Sequence, residues 1–263
     1  MKFRERIHYS LVICTLIAGV GSLVACGGGT SDSASQTPAA GRQAKPTDTA
    51  DGPGVIAGTI SVDGTPPPPR PLRMDSDPKC VSDPSATSEL LLVSAAGGVQ
   101  NVFVYLKEGL GARTYAVPST PVTLDQKGCR YIPHVFGVQV GQAVLISNSD
   151  STLHNVNASP KDNRPFNFGQ PAAVPAVTRT FDKPEVMVPL RCDVHGWMNA
   201  YVGVVAHPFY AVTQADGSFE LKGLPAGTYT VEAWHEQLGT QTQSVTVDGQ
   251  TPGKVSFAFK PSA

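Results

Sequence analysis

The chain has 263 residues, with 20 basic against 21 acidic side chains and a formal net charge of −1 at pH 7. A balance this close to neutral excludes a broad electrostatic grip on nucleic acid or anionic lipid. Twenty-six glycines and 23 prolines, with no sustained 3.6-residue apolar pattern beyond the N-terminus, point to many short strands joined by turns, so the expected fold class is all-β.

Lys2, Arg4 and Arg6 precede the apolar run Leu11 to Val20, and Leu23-Val24-Ala25-Cys26 follows. Charge, then apolar core, then small residues is the order of an export signal, and the run is too short to span a bilayer comfortably. Residues 1–25 therefore read as a signal peptide. Leu-Val-Ala-Cys also resembles the lipobox of bacterial lipoproteins, which implies lipidation of Cys26 with several acyl chains and hence stable anchoring. An ordinary secretory signal cleaved nearby is the competing reading. Gly27 after the cysteine implies, by resemblance to enterobacterial lipoproteins, an outer-membrane destination, so the expected location is the bacterial cell envelope, lipid-anchored, at the outer membrane or in the periplasm. Residues 26–53 have almost nothing to bury and read as a flexible tether.

From Gly54 the pattern changes. Val55 to Val62 alternates as a strand and ends at the Asp63-Gly64 turn signal, and Pro66 to Pro69 then forces an extended, poorly paired segment. Val99 to Leu106 is the next expected strand, with Val102, Val104 and Leu106 on one face. Val122 to Leu124, Val135 to Val140 and Ala143 to Asn148 follow, the last delivering His154. Residues 157 to 175 read as a Pro- and Asn-rich stretch anchored by Phe166 and Phe168. Val186 to Leu190 leads into Cys192, and Ala200 to Val205 leads away from it. After His207-Pro208, the Asp216-Gly217 turn signal and the alternation of Phe219 with Leu221, then of Tyr229, Val231 and Ala233, predict a hairpin-rich second unit.

The stretch Cys192-Asp193-Val194-His195-Gly196-Trp197-Met198 places a thiolate, an imidazole and a thioether on one short loop between expected strands. Cu(I) favours soft sulfur and Cu(II) tolerates imidazole, so a site that shuttles between them needs both kinds of ligand at a compromise geometry. His154, just past another strand, supplies the second imidazole. The expected metal site is therefore His154, Cys192 and His195 with Met198 as a weak axial ligand around one mononuclear copper. Zinc would more naturally take Cys and His ligands without a thioether. Asn155 is expected to hydrogen-bond toward the Cys192 sulfur. Trp197 is expected either to shield the metal from water or to be an ordinary rim aromatic.

Of the five cysteines, Cys14 lies in the export signal and Cys26 ends it. An exported chain can oxidise two of the remaining three, and Cys192 sits in metal-ligand spacing, so Cys80 is paired with Cys129 as a disulfide. Alone, Cys192 could equally be a buried free thiol. His134, His207 and His235 read as turn or surface residues rather than ligands. No nucleophile elbow, phosphate-binding glycine loop or paired-carboxylate site stands out, so no catalytic residue is assigned and the chain is not expected to be an enzyme.

A strand, Asn148-Ser149-Asp150, His154-Asn155-Val156 and then a long gap to Cys192-x-x-His195-x-x-Met198 resembles the cupredoxin (type 1 blue-copper) family, with a ligand loop of the length found in amicyanin. Lys183-Pro184-Glu185-Val186 departs from the family's usual Gly-Tyr-type approach to the cysteine. Thr213-x-x-Asp216-Gly217-x-Phe219 and Leu224-Pro225-Ala226-Gly227-Thr228-Tyr229 resemble the carboxypeptidase regulatory-like, transthyretin-like sandwich, and Gly54 to Pro66 and Val99 to Leu106 match the strands that precede those residues in that family. The resemblances imply a Greek-key cupredoxin sandwich over 113–206 and a second, small Ig/transthyretin-like β-sandwich. That second sandwich is discontinuous, formed by 54–112 with 207–263, and at the least by 209–263. The alternative is that the early strands extend the cupredoxin sheet.

Together these features predict a membrane-anchored envelope copper protein that carries single electrons to and from a redox partner protein, with no nucleic acid bound. The alternatives are copper binding or delivery without electron transfer, and a carbohydrate- or protein-binding surface module in which the metal only staples the fold.

Overall fold

The computed structural model describes residues 52–81 and 85–261, and the expected signal peptide, Cys26 and nearly all of the expected tether lie outside the described residues. The described chain is all-β. Its strands are β1 (Gly54–Val62), β2 (Phe103–Glu108), β3 (Val122–Gln126), β4 (Tyr131–Ile132), β5 (Val135–Gln139), β6 (Val144–Asn148), β7 (His154–Ala158), β8 (Phe166–Gln170), β9 (Val177–Arg179), β10 (Glu185–Arg191), β11 (Asn199–Val205), β12 (Tyr210–Val212), β13 (Ser218–Leu224), β14 (Gly227–His235), β15 (Gly239–Val247) and β16 (Gly253–Phe259). Two-residue periodicity is plainest in β16, which buries Val255, Phe257 and Phe259 and exposes Lys254, Ser256 and Ala258 between them.

A five-stranded sheet ordered β5-β11-β10-β7-β8 and a four-stranded sheet ordered β4-β3-β6-β9 enclose a core that includes Leu124, Tyr131, Phe136, Ile146, Val156, Leu190 and Val202. Mixed pairing, with β5 parallel to β11 and β3 parallel to β6, makes this a cupredoxin-like β-sandwich. The other two sheets run β13-β1-β16 and β12-β2-β14-β15 over a second core that includes Ile56, Ile60, Leu106, Leu221, Val231 and Phe257. In that second sandwich β1 lies between β13, antiparallel at Gly58↔Phe219, and β16, parallel at Ile60↔Phe257.

A third cluster joins the two sandwiches. Phe103 and Tyr105 of β2 pack against Val135, Met187 and Val205 of the five-stranded sheet. Gly137 and Gly203 are partners in the parallel β5·β11 register, and a Cβ on Gly203 would come within 2.3 Å of the Phe103 ring. One on Gly137 would come within 2.4 Å of Tyr210. Two neighbouring positions without side chains thus let Phe103 and Tyr210, whose centroids are 5.8 Å apart, lie directly on the sheet.

The structure revises several expectations. Asn101 takes a left-handed φ of 64°, so the strand expected from Val99 begins only at Phe103. Both faces of that strand are buried: Val104 and Leu106 face the second core, while Phe103 and Tyr105 face the other sandwich. The Pro- and Asn-rich stretch from residue 157 includes the end of β7 and all of β8, which pair as a hairpin, and its expected anchors Phe166 and Phe168 are half-buried with the Arg179 guanidinium over both rings. Within 54–112, grouped by sequence with the second sandwich, Met74, Cys80 and Ala86 pack into the cupredoxin-like core.

Candidate metal centre

β10 and β11 pair antiparallel up to Arg191↔Asn199, and the loop beyond is closed by two backbone bonds, Cys192 N–H to the Met198 carbonyl at 3.1 Å and Met198 N–H to the His195 carbonyl at 2.9 Å. This short closure turns Cys192, His195 and Met198 inward, and all three are buried. His154 opens β7, which pairs with β10 at Arg191↔Asn157, and is completely buried. The two elements bring His154 Nδ1 to 2.8 Å from His195 Nδ1, with Cys192 Sγ 4.0 Å from the latter. The thiol sulfur and one nitrogen of each imidazole all lie within 4.8 Å of one another.

Hydrogen bonding behind the rings fixes what these nitrogens can do. His195 Nε2 is 3.1 Å from Asp77 Oδ2, and His154 Nε2 is 2.9 Å from Asp150 Oδ2. The Lys79 backbone N–H and the Thr152 hydroxyl hold the Asp77 carboxyl below its usual range, so it is an acceptor. Asp150 accepts the Gly128 and Cys129 backbone N–H groups at 2.7 and 2.8 Å. An imidazole facing an acceptor must donate, which places a proton on both Nε2 atoms. Burial keeps His154 below the usual imidazole range, favouring its neutral form. Neutral and protonated at Nε2, His154 aims its Nδ1 lone pair at His195 Nδ1 across 2.8 Å. A cation between them, completed by the thiolate, satisfies both, and borderline nitrogen with soft sulfur suits copper.

Two further groupings use the same histidines from their Nε2 side, Asp77/Cys80/His195 and Cys129/Asp150/His154. Both are closed to a metal because Cys80 and Cys129 are joined in a disulfide, which lies against the site with Cys80 Sγ 3.7 Å from His195 Nε2. Cys192 is the free cysteine of the described residues.

Asn155 pins the ligand loop. Its Oδ1 accepts the Asp193 and Val194 N–H groups at 2.6 and 3.3 Å and lies 3.3 Å from Cys192 Sγ, whose thiol form donates to it. The His195 N–H donates to the same sulfur at 3.3 Å. The Tyr131 hydroxyl donates to the Asn155 carbonyl. Amides of Asn157, Asn167 and Asn155 converge on Asp193 and hold its carboxyl below the usual range. The Trp197 ring sits 5.0 Å from that of His195, with Nε1–H donating to the Cys129 carbonyl at 3.0 Å. An open cleft of about 550 Å³ runs beside the loop, lined in part by Leu72, Leu90, Cys192, Trp197, Met198 and Tyr201.

His134 and His235, expected at turns or the surface, are instead buried. His134 binds Glu236 through Nε2 and the Asn199 carbonyl through Nδ1, joining the second sandwich to the residue after Met198. His235 Nδ1 accepts the N–H groups of Gln237 and Leu238. The half-buried His207 donates to the Leu106 carbonyl at 2.8 Å. Tyr201 and Glu236, far away in sequence, lie against the His134 ring, which local patterning could not reveal. Asp77 and Asp150 were also missed; the only local signal was Asp150 four residues before His154.

Residues 198–260 match the family model of the carboxypeptidase regulatory-like domain. The described residues are accordingly all-β and combine a cupredoxin-like sandwich with a second one that, over the matched residues, is similar to the carboxypeptidase regulatory-like domain. Among solved structures the chain is similar to a Cu-containing nitrite reductase from Thermus scotoductus SA-01, with 21% identity over 37% of this chain and a TM-score of 0.31. It spans only 25% of that reductase. A purple cupredoxin from Nitrosopumilus maritimus is 19% identical over 32% of this chain and 98% of its own, with a TM-score of 0.27. A Cu(I) amicyanin variant is 19% identical over 38% of this chain and 97% of its own, with a TM-score of 0.29. Comparison with curated proteins finds no match.

Proposed function

We propose that this chain binds one mononuclear copper through His154, Cys192 and His195, with Met198 as a weak axial ligand, and serves as a single-electron carrier. The observation that carries this reading is the pair of Nδ1 atoms facing each other at 2.8 Å beside a buried thiol. When bound, copper supplies a one-electron couple. The protein's part is to hold the donors nearly fixed in both oxidation states, and the bonds to Asn155, Asp77 and Asp150 do this. No residue is assigned a catalytic role.

Added Cu(II) should give an intensely coloured protein with a mononuclear EPR signal that bleaches reversibly on reduction. Cys192→Ser should lose the colour. A protein that stays colourless and holds only Cu(I) would favour storage or delivery instead.

For the chain as a whole we propose a lipoprotein anchored through Cys26 in the bacterial envelope. In it the cupredoxin-like sandwich is inserted into a second sandwich formed by the early and late strands, a reading supported by β1 lying between β13 and β16. Metabolic labelling with a radioactive fatty acid, lost in Cys26→Ala, tests the anchor.

A further inference from the structure

Both candidate ligand histidines are held from behind by a carboxylate, and one disulfide ties the two carboxylates together. Asp77 accepts from His195 Nε2, the Lys79 N–H and the Thr152 hydroxyl, while its backbone carbonyl accepts the Cys80 N–H at 2.9 Å. Asp150 accepts from His154 Nε2 and from two successive N–H groups, those of Gly128 and Cys129. Those two residues take φ values of 63° and 53°, so the turn carries both amides to one carboxylate. Cys80 and Cys129 are bonded to each other, and both are buried.

We propose that Asp77 and Asp150 are positioning residues that act through His195 and His154 to favour Cu(II) over Cu(I), and that the Cys80–Cys129 disulfide holds the pair as one unit. This rests on the copper reading above. A carboxylate that accepts an imidazole N–H makes the opposite nitrogen a stronger donor, and the more highly charged ion gains more from that. The Asp77 and Asp150 side chains are 22% and 16% exposed, so solvent screens part of their charge and the direct hydrogen bond to each buried ring carries the effect.

The test uses the full chain and the near-isosteric variants Asp77→Asn and Asp150→Asn. In the copper-loaded protein each variant should keep the visible band of the wild type but shift the Cu(II)/Cu(I) preference toward Cu(I) about tenfold, the scale typical for outer-shell changes at metal sites. A tenfold shift is about 59 mV for a one-electron couple. Unchanged potentials in both variants overturn the proposal. Should Asp77→Asn fail to fold, Thr152→Val, which removes one of the groups holding Asp77, replaces it with a shift of the same sign.

In the metal-free protein, ¹⁵N-resolved imidazole spectra should show His154 and His195 protonated at Nε2. Asp77→Asn should move the His195 Nε2 proton and leave that of His154 in place. Rings lacking the Nε2 proton in the wild type overturn the proposal. A wild type that takes up no copper sinks the copper reading and this redox effect with it. A wild type that turns blue, with variants of unchanged potential, sinks only the present proposal.

Discussion

His235 and His134 show how far single buried imidazoles can couple this protein to pH. Burial, helped by the nearby charge of His134, holds His235 down to about 4. An unfolded imidazole takes its proton near ~6.5, so between these values the unfolded chain binds more protons. Stability should therefore fall as pH drops from about 6.5 through about 4, by about 3 kcal/mol from this group. For His134, burial opposes the charge, but the bond to Glu236 and its charge outweigh that and hold the imidazole above its usual range. Its contribution is full below about 6.5 and is lost as pH rises through the raised value. Urea midpoints against pH should show His235→Asn flattening the acid limb, and His134→Gln lowering stability at pH 6 more than at pH 9.

At the level of elements, the paired glycines of β5 and β11 are sensitive positions away from the candidate metal centre. Gly203→Ala drives a methyl into the Phe103 ring and should cost about 1–3 kcal/mol, read as a lowered urea midpoint with unchanged slope. Phe103→Ala should cost about 3–5 kcal/mol, because that buried ring is the main filler between the sandwiches. These contacts also mark the limit of what the sequence made legible. Alternation reported one buried face, Val102 just before β2 and Val104 and Leu106 within it, all three in the second core. Phe103 and Tyr105 are equally buried, but against strands whose flatness depends on two glycines more than thirty residues farther along the chain. The loop from Cys192 to Met198 stood out in the sequence because its chemistry is local, three donor types within seven residues. The carboxylates behind the histidines did not, because Asp77 reaches His195 only through a disulfide-held segment that has no strand of its own.

For the molecule as a whole, the candidate metal centre depends on chain outside the sandwich that carries His154, Cys192 and His195. Residues 115–206 expressed alone would lack Asp77 and Cys80. The fragment should therefore bind copper at least about tenfold more weakly than the full chain in competition with a chelator. The shared Phe103 cluster and the His134–Glu236 pair bind the two sandwiches to each other. Urea should then unfold the described chain in one transition, with fluorescence from Trp197 and Trp234, one in each sandwich, changing together.

The Cys80–Cys129 bond, finally, makes the compartment of manufacture matter to which atoms face a metal. In a chain made and kept under reducing conditions, both sulfurs are thiols on the Nε2 side of the two histidines, each beside a carboxylate, within the spacing of a metal-binding group. Such a chain offers soft-metal ions two further groupings besides the proposed one, and Cys192 two partners for wrong oxidation. Preparations from a reducing cytoplasm should therefore contain zinc in place of copper and, once oxidised by air during purification, disulfides that pair Cys192 with Cys80 or Cys129, both resolvable by mass spectrometry. Preparations oxidised before any metal is added should be uniform.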